Sequence, residues 1–215
     1  MKPTITALAL LSAVAAHAAT YHFDGAPSGT DANTFAKDGI GFYSGILAPN
    51  LDINGDPIPG SDHWQIDSSA PAVTVDDPLG FGRGVAPSPA NALNGLFQPT
   101  LIKLGGSNMR VTDFSVTLDN DTFGDNGLLP GHSDIAVGFY DLAGKLLFSI
   151  PLDQTTPGFK GSLGKWVDGV DSIVLPGGAF YDDLTLTAVP EVSSFLPACA
   201  VVGGMLLARR RRQTA

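Results

Sequence analysis

The stretch RVTDFSVTLD, residues 110–119, sets Phe114, Val116 and Leu118 on one side of the chain and Ser115 and Thr117 on the other. A period of two puts alternate side chains on opposite faces of a pleated strand. Downstream, DIAVGFYD (134–141) and KLLFSI (145–150) read as two further strands joined by Leu142 to Gly144, where glycine supplies a positive φ. VDSIVL (170–175) and AFYDDLTLT (179–187) follow, joined by the turn signal Pro176-Gly177-Gly178. Upstream, TYHF (20–23), GIGFYS (39–44), HWQI (63–66), AVTV (72–75) and FQPTLIKL (97–104) are shorter strand candidates separated by long loops. No long helical period, repeat or internal boundary interrupts this series, and residues 49–59 form a loop rather than a linker. Many short strands with turns between them predict an all-β fold, an antiparallel β-sandwich or jelly roll.

The two ends read differently. The first 18 residues, MKPTITALALLSAVAAHA, carry a cation at Lys2, an apolar run and then small residues at Ala16 and Ala18. That order predicts a signal peptide over residues 1–18, cut between Ala18 and Ala19. At the other end, residues 192–208 hold no charge and are followed by Arg209, Arg210, Arg211 and Arg212. Seventeen residues sit at the short limit for crossing a ~30 Å hydrocarbon core as a helix. Clustered arginines stay on the cytoplasmic side, which predicts a single transmembrane helix with the preceding domain outside the inner membrane. The expected organisation is a signal peptide (1–18), a sandwich domain (19–188) and a C-terminal signal (189–215).

Between residues 19 and 189 the chain has seven Lys and Arg against 20 Asp, a net charge near −13 where the whole chain has −9. Such a field repels phosphates and excludes nucleic acid as a partner; cations and neutral polymers suit it. The single cysteine, Cys199, lies in the tail, so the domain has no disulfide. At about 170 residues it is large enough to need none.

The C-terminal segment resembles the PEP-CTERM sorting signal, in which a Pro-Glu-Pro motif, an apolar helix and an arginine cluster follow one another. Here the motif reads Val189-Pro190-Glu191-Val192, with Val192 in place of the second proline. The resemblance covers the last 27 residues. It implies recognition by an exosortase, a membrane-embedded protease-transferase of exopolysaccharide-producing Gram-negative bacteria, and a tail that serves as address and temporary anchor. The later strands, with Phe23-Asp24 in the first, also look like galactose-binding-like jelly rolls. That resemblance implies a fold and hints at glycan binding.

Chemistry is notable for what is missing. Glu191 is the only glutamate and belongs to the tail, so paired-carboxylate glycosidase machinery could be built only from aspartates. His22, His63 and His132 form no metal-ligand spacing, and neither a G-x-S-x-G elbow nor a P-loop occurs. The domain is expected not to be an enzyme.

Aspartate abundance points to calcium, a hard cation taking six to eight oxygens. In AFYDDLTLT, Phe180, Leu184 and Leu186 share a face by alternation, and Asp182 falls in the same phase, where an apolar rim charges it a desolvation cost. In the resembling jelly rolls a structural calcium joins the first strand to the last. By position the resemblance implies Asp24 with Asp182 or Asp183 as Ca2+ ligands, the alternative being solvated edge aspartates. DINGD (52–56) has alternating oxygens but no closing glutamate and reads as an Asn/Asp/Gly turn. DNDTFGDNG (119–127) reads as an acidic loop first and a calcium loop second. Trp64, beside His63 and near Asp62, is the candidate platform for a glycan, with Tyr43 and Trp166 behind it.

The resulting expectation is an exported, non-enzymatic cell-surface or extracellular-matrix protein sorted by the exosortase system, with exopolysaccharide as its candidate ligand. The alternatives are a structural or adhesive matrix component without a defined ligand, and an aspartate-based polysaccharide hydrolase.

Overall fold

The structure, a computed structural model, describes residues 17–81, 90–95, 98–106, 108–118, 136–153 and 158–190. The expected signal segment through Ala16, the acidic loop 119–127 and the tail from Glu191 lie outside the described residues. Among those described, no helix is long and apolar enough to cross a membrane.

Strands dominate. In chain order they are β1 (His17–Tyr21), β2 (Thr30–Asp31), β3 (Gly41–Ala48), β4 (His63–Ile66), β5 (Thr74–Asp76), β6 (Ala92–Gly95) and β7 (Thr100–Lys103). The second half adds β8 (Met109–Leu118), β9 (Ala136–Tyr140), β10 (Leu146–Pro151), β11 (Lys160–Ser162), β12 (Val167–Val170), β13 (Ser172–Leu175) and β14 (Ala179–Pro190). All pair antiparallel. One sheet runs β11-β8-β14-β6-β5-β2, with β1 also on β14 and β12 also on β8; the other runs β10-β9-β13-β7-β3-β4.

The expected alternation in residues 110–119 holds: Phe114, Val116 and Leu118 are all buried in the core. Each such side chain contributes roughly 1.5–3 kcal/mol relative to an exposed one. Register makes this a shared core. In the first sheet Phe114 lies opposite Leu186, which lies opposite Ala19. In the second, Phe42, Ile102, Ile173 and Phe139 form one row across four strands. Aromatic edges join the two sheets: Phe114 meets Phe139 at 5.3 Å and Tyr21 meets Phe42 at 5.1 Å, both near perpendicular. The architecture is an all-β sandwich.

Connections follow the turn chemistry. Gly144, at φ 80°, closes the β9–β10 hairpin, and the Asp141 carboxylate accepts from the amides of Ala143 and Lys145, each at 2.9 Å. Pro176 to Gly178 does not close a hairpin. β13 pairs with β7 and β9, whereas β14 pairs with β1, β6 and β8, so this turn carries the chain from one sheet to the other.

Candidate functional site

The aspartate pair sits at a β-bulge. Between the pairs Asp182–Thr117 and Thr185–Ser115, β14 carries one residue more than β8. Asp183 occupies this irregularity at φ 49°, a left-handed conformation that Asp tolerates better than most residues. The extra residue reverses the side-chain phase. Tyr181, Leu184 and Leu186 therefore face the core, while Phe180 packs with Ala92 in a separate cluster. The expected single face of Phe180, Leu184 and Leu186 is corrected: alternation breaks at the bulge, and Asp182 shares a side with Phe180 only.

β1 lies against β14 with Tyr21 opposite Leu184, so the first and last long elements are neighbours. His22 Nδ1 is 3.0 Å from Asp183 Oδ1, on the exposed side. Asp182 is fully buried, and its Oδ1 accepts from the Asp183 amide at 2.8 Å. Asp24 holds a buried Oδ1 with no hydrogen-bond partner. An orphaned carboxylate oxygen costs desolvation until a donor or cation meets it. Of the three aspartates, only Asp24 leaves a buried oxygen unmet; Asp182 accepts from the Asp183 amide, and Asp183 faces His22. Among the described residues no group of three or more His, Cys, Asp or Glu is placed to hold a metal ion, so any ion here would draw its remaining ligands from backbone oxygens or water.

Trp64 and His63 lie on β4, which pairs with the second half of β3. Four strand spacings separate β4 from β9 in the sheet order, ~19 Å for a flat edge strand. Yet the Trp64 ring lies 5.9 Å from that of Tyr140 on β9, and the backbone of His63 lies against Gly144. The β3–β4 arm therefore folds back across the sheet. Trp64 also covers Gly45, where an added Cβ would sit 3.5 Å from the indole. It is half-buried, with much of its ring used in packing. His63 Nδ1 is 3.1 Å from the Ser61 carbonyl. Along the arm Ile46, Leu47, Leu51, Ile53, Ile58 and Ile66 remain exposed.

In the arm's loop, Asp52 Oδ1 accepts from the amides of Asn54 at 2.8 Å and Asp56 at 2.9 Å. Backbone hydrogen bonds, from Asp56 first and then Asn54, hold its carboxyl below the ordinary 3.8. The Asp52 oxygens are thus engaged in their own turn.

Sequence reasoning did not single out Asp76. Its Oδ1 accepts from Ser28 Oγ at 2.6 Å and the Gly29 amide at 2.7 Å; its Oδ2 accepts from Thr74 Oγ1 at 2.6 Å and Asn94 Nδ2 at 2.9 Å. Burial pushes the carboxyl up, but the donors outweigh it and leave it below 3.8. Asp76 stands in the wall of a cleft of about 370 Å³, with Ser44, Val73, Thr74, Asn94 and Gln98 around it. Gln98 Oε1 is buried without a partner.

Trp166 is 64% exposed, the more open of the two indoles. The Arg110 guanidinium lies 5.7 Å from its ring centroid, and Arg110 pairs with Asp168. Compared with protein families, with curated proteins and with solved structures, the chain matches none.

Proposed function

We propose that this chain is an exported, non-enzymatic cell-surface or matrix protein of a Gram-negative bacterium, sorted through an exosortase by its C-terminal signal. The observation that carries the reading is the tail itself: Val189-Pro190-Glu191, seventeen uncharged residues, then four arginines. Two features of the fold support it. Among the described residues the main core runs from Ala19 to Ala188, so cleavage after Ala18 and loss of the tail would both spare it, although the cut falls inside β1 and removes His17 and Ala18, which pair with Ala188 and Thr187. β14 pairs through Pro190, opposite Met109, so Val189 and Pro190 close the last strand. The sandwich is taken as a jelly roll of galactose-binding-like type, and exopolysaccharide as its ligand, held near Trp64 and His63. Calcium at Asp24 and Asp182 would stabilise the junction of β1 and β14 by binding the folded state alone. Melts in calcium and in chelator should then differ, and Asp182→Ala should remove the difference; identical melts count against the ion.

The six exposed aliphatic side chains of the β3–β4 arm favour, as a second reading, an adhesive component without a defined glycan. Two experiments decide. Cell fractionation of the full chain and of a chain ending at Pro190 should put the first in the envelope or matrix and release the second. Polysaccharide retention and sugar release are then assayed together. Retention lost in Trp64→Ala with an unchanged melt supports the glycan reading. No retention supports the adhesive one, and steady sugar release abolished by single Asp substitutions establishes a hydrolase instead.

A further inference from the structure

The chain continues into its tail from one end of the sandwich, where β14, β8 and β12 close together. β14 closes at Pro190 opposite Met109, with Val189 opposite Arg110, and β12 flanks β8 on the other side with Val170 opposite Met109. Only Glu191 separates Pro190 from the uncharged run that starts at Val192. Two residues of extended chain span ~7 Å, and the polar layer of a bilayer is ~6 Å deep on each side. If the run crosses the membrane, as the sorting reading requires, whatever lies beside Pro190 is at headgroup depth.

What lies there is unlike the rest of the acidic surface. Trp166, 64% exposed, stands by the Arg110 guanidinium; it precedes Val167, which pairs with Val111, and so lies two strand spacings across from Val189, ~10 Å, and about two residues back along the strands. Leu142, 68% exposed, sits in the β9–β10 turn and shares a shallow hollow with Asn108, next to Met109, and with Gly169 of β12. Lys165 adjoins Trp166 and lies 5.1 Å from the Phe148 ring centroid. Of the carboxylates at this end, Asp168 pairs with Arg110 and Asp171 with Lys103; Asp141, held by its own turn's amides, and the exposed Asp113 are met in number by Lys145 and Lys165. A tryptophan beside an arginine, with a leucine near them and local charge close to neutral, is the combination that settles at a membrane–water interface.

We infer that Trp166, Arg110 and Leu142 dock this end of the domain onto the phospholipid headgroup layer while the tail is in place, holding the Pro190–Glu191 peptide at the bilayer surface. The test uses the full chain in vesicles of phosphatidylethanolamine and phosphatidylglycerol brominated near the headgroup, with Trp64→Phe leaving Trp166 as the only indole. Alkaline carbonate extraction of the same sample reports tail insertion. With the tail inserted, Trp166 emission should be clearly quenched, because an indole docked at the interface lies beside the bromines. The Trp166→Phe chain, which keeps Trp64 and so remains a control should Trp64→Phe fold poorly, should lose almost no emission. An inserted tail with unquenched Trp166 overturns the docking and leaves that end to a protein partner, with the anchor reading intact. A chain stripped from the vesicles by carbonate overturns both.

Discussion

Replacing Asp76 by alanine tests how the two ends of the first half are tied together. The carboxylate accepts four hydrogen bonds, from Ser28, Gly29, Thr74 and Asn94, and is only 5% exposed. A hydrogen bond to a charged group is worth about 1.5–3 kcal/mol net, but four bonds on one group do not add. Ser28 and Thr74 can turn their hydroxyls to water once the acceptor is gone, and the exposed Gly29 amide keeps the Val75 carbonyl at 3.0 Å, so the Asn94 amide is the donor least free to recover. Counting that one charged hydrogen bond, the expected loss is about 1.5–3 kcal/mol. For a domain of this size that lowers Tm by roughly 6 °C. The pH dependence carries a second signature. The folded pKa lies below its ordinary 3.8, so the stabilisation is complete above that value and is lost as pH falls through the lower folded pKa. Urea melts followed by far-UV circular dichroism at pH 7 should separate wild type from Asp76→Ala by that amount, and the gap should narrow well below pH 4. A gap under 1 kcal/mol at pH 7, or one that widens in acid, would refute the reasoning.

Gly144→Ala should cost about 2–4 kcal/mol, because it strains a residue at φ 80° and drives a Cβ into the backbone of His63. Its near-UV circular dichroism should change as Trp64 leaves Tyr140, and an unchanged spectrum with an unchanged melt would mean that the arm does not lie there. At the bulge, Asp183→Gly should be neutral or stabilising by up to ~1 kcal/mol, since glycine adopts φ 49° freely and the His22 contact is exposed. Asp183→Val should instead destabilise by about 2 kcal/mol, and equal melts for the two variants would contradict the bulge.

The strands that could be read from sequence are those with intact alternation and apolar residues that the core uses. The reading of β4 matches its observed bounds, and those of β8, β9, β10 and β13 match to within a residue or two. β2 (Thr30–Asp31), β6 (Ala92–Gly95), β11 (Lys160–Ser162) and β12 (Val167–Val170) were missed, because short segments rich in Asp, Asn, Gly and Lys supply little apolar pattern and are held by pairing with β5, β14 and β8. The phase of β14 was misread because a bulge is set by the partner strand, and nothing local in AFYDDLTLT marks the extra residue. Asp76 was hidden for a related reason: Ser28 lies 48 residues from it, and only the pairing of β2 with β5 brings the two segments together. Trp64 was legible as an important aromatic. Its folding back across the second sheet was not, since that depends on Tyr140 and Gly144, far along the chain.

The central claim is that this is an exported sandwich whose two terminal segments are addresses removed from the finished protein. Intact-mass analysis of the protein recovered from the cell surface or matrix tests it most directly. The account predicts a chain that begins at Ala19 and ends near Pro190-Glu191, without Arg209 to Arg212. A surface-extracted chain that still carries those four arginines would contradict it.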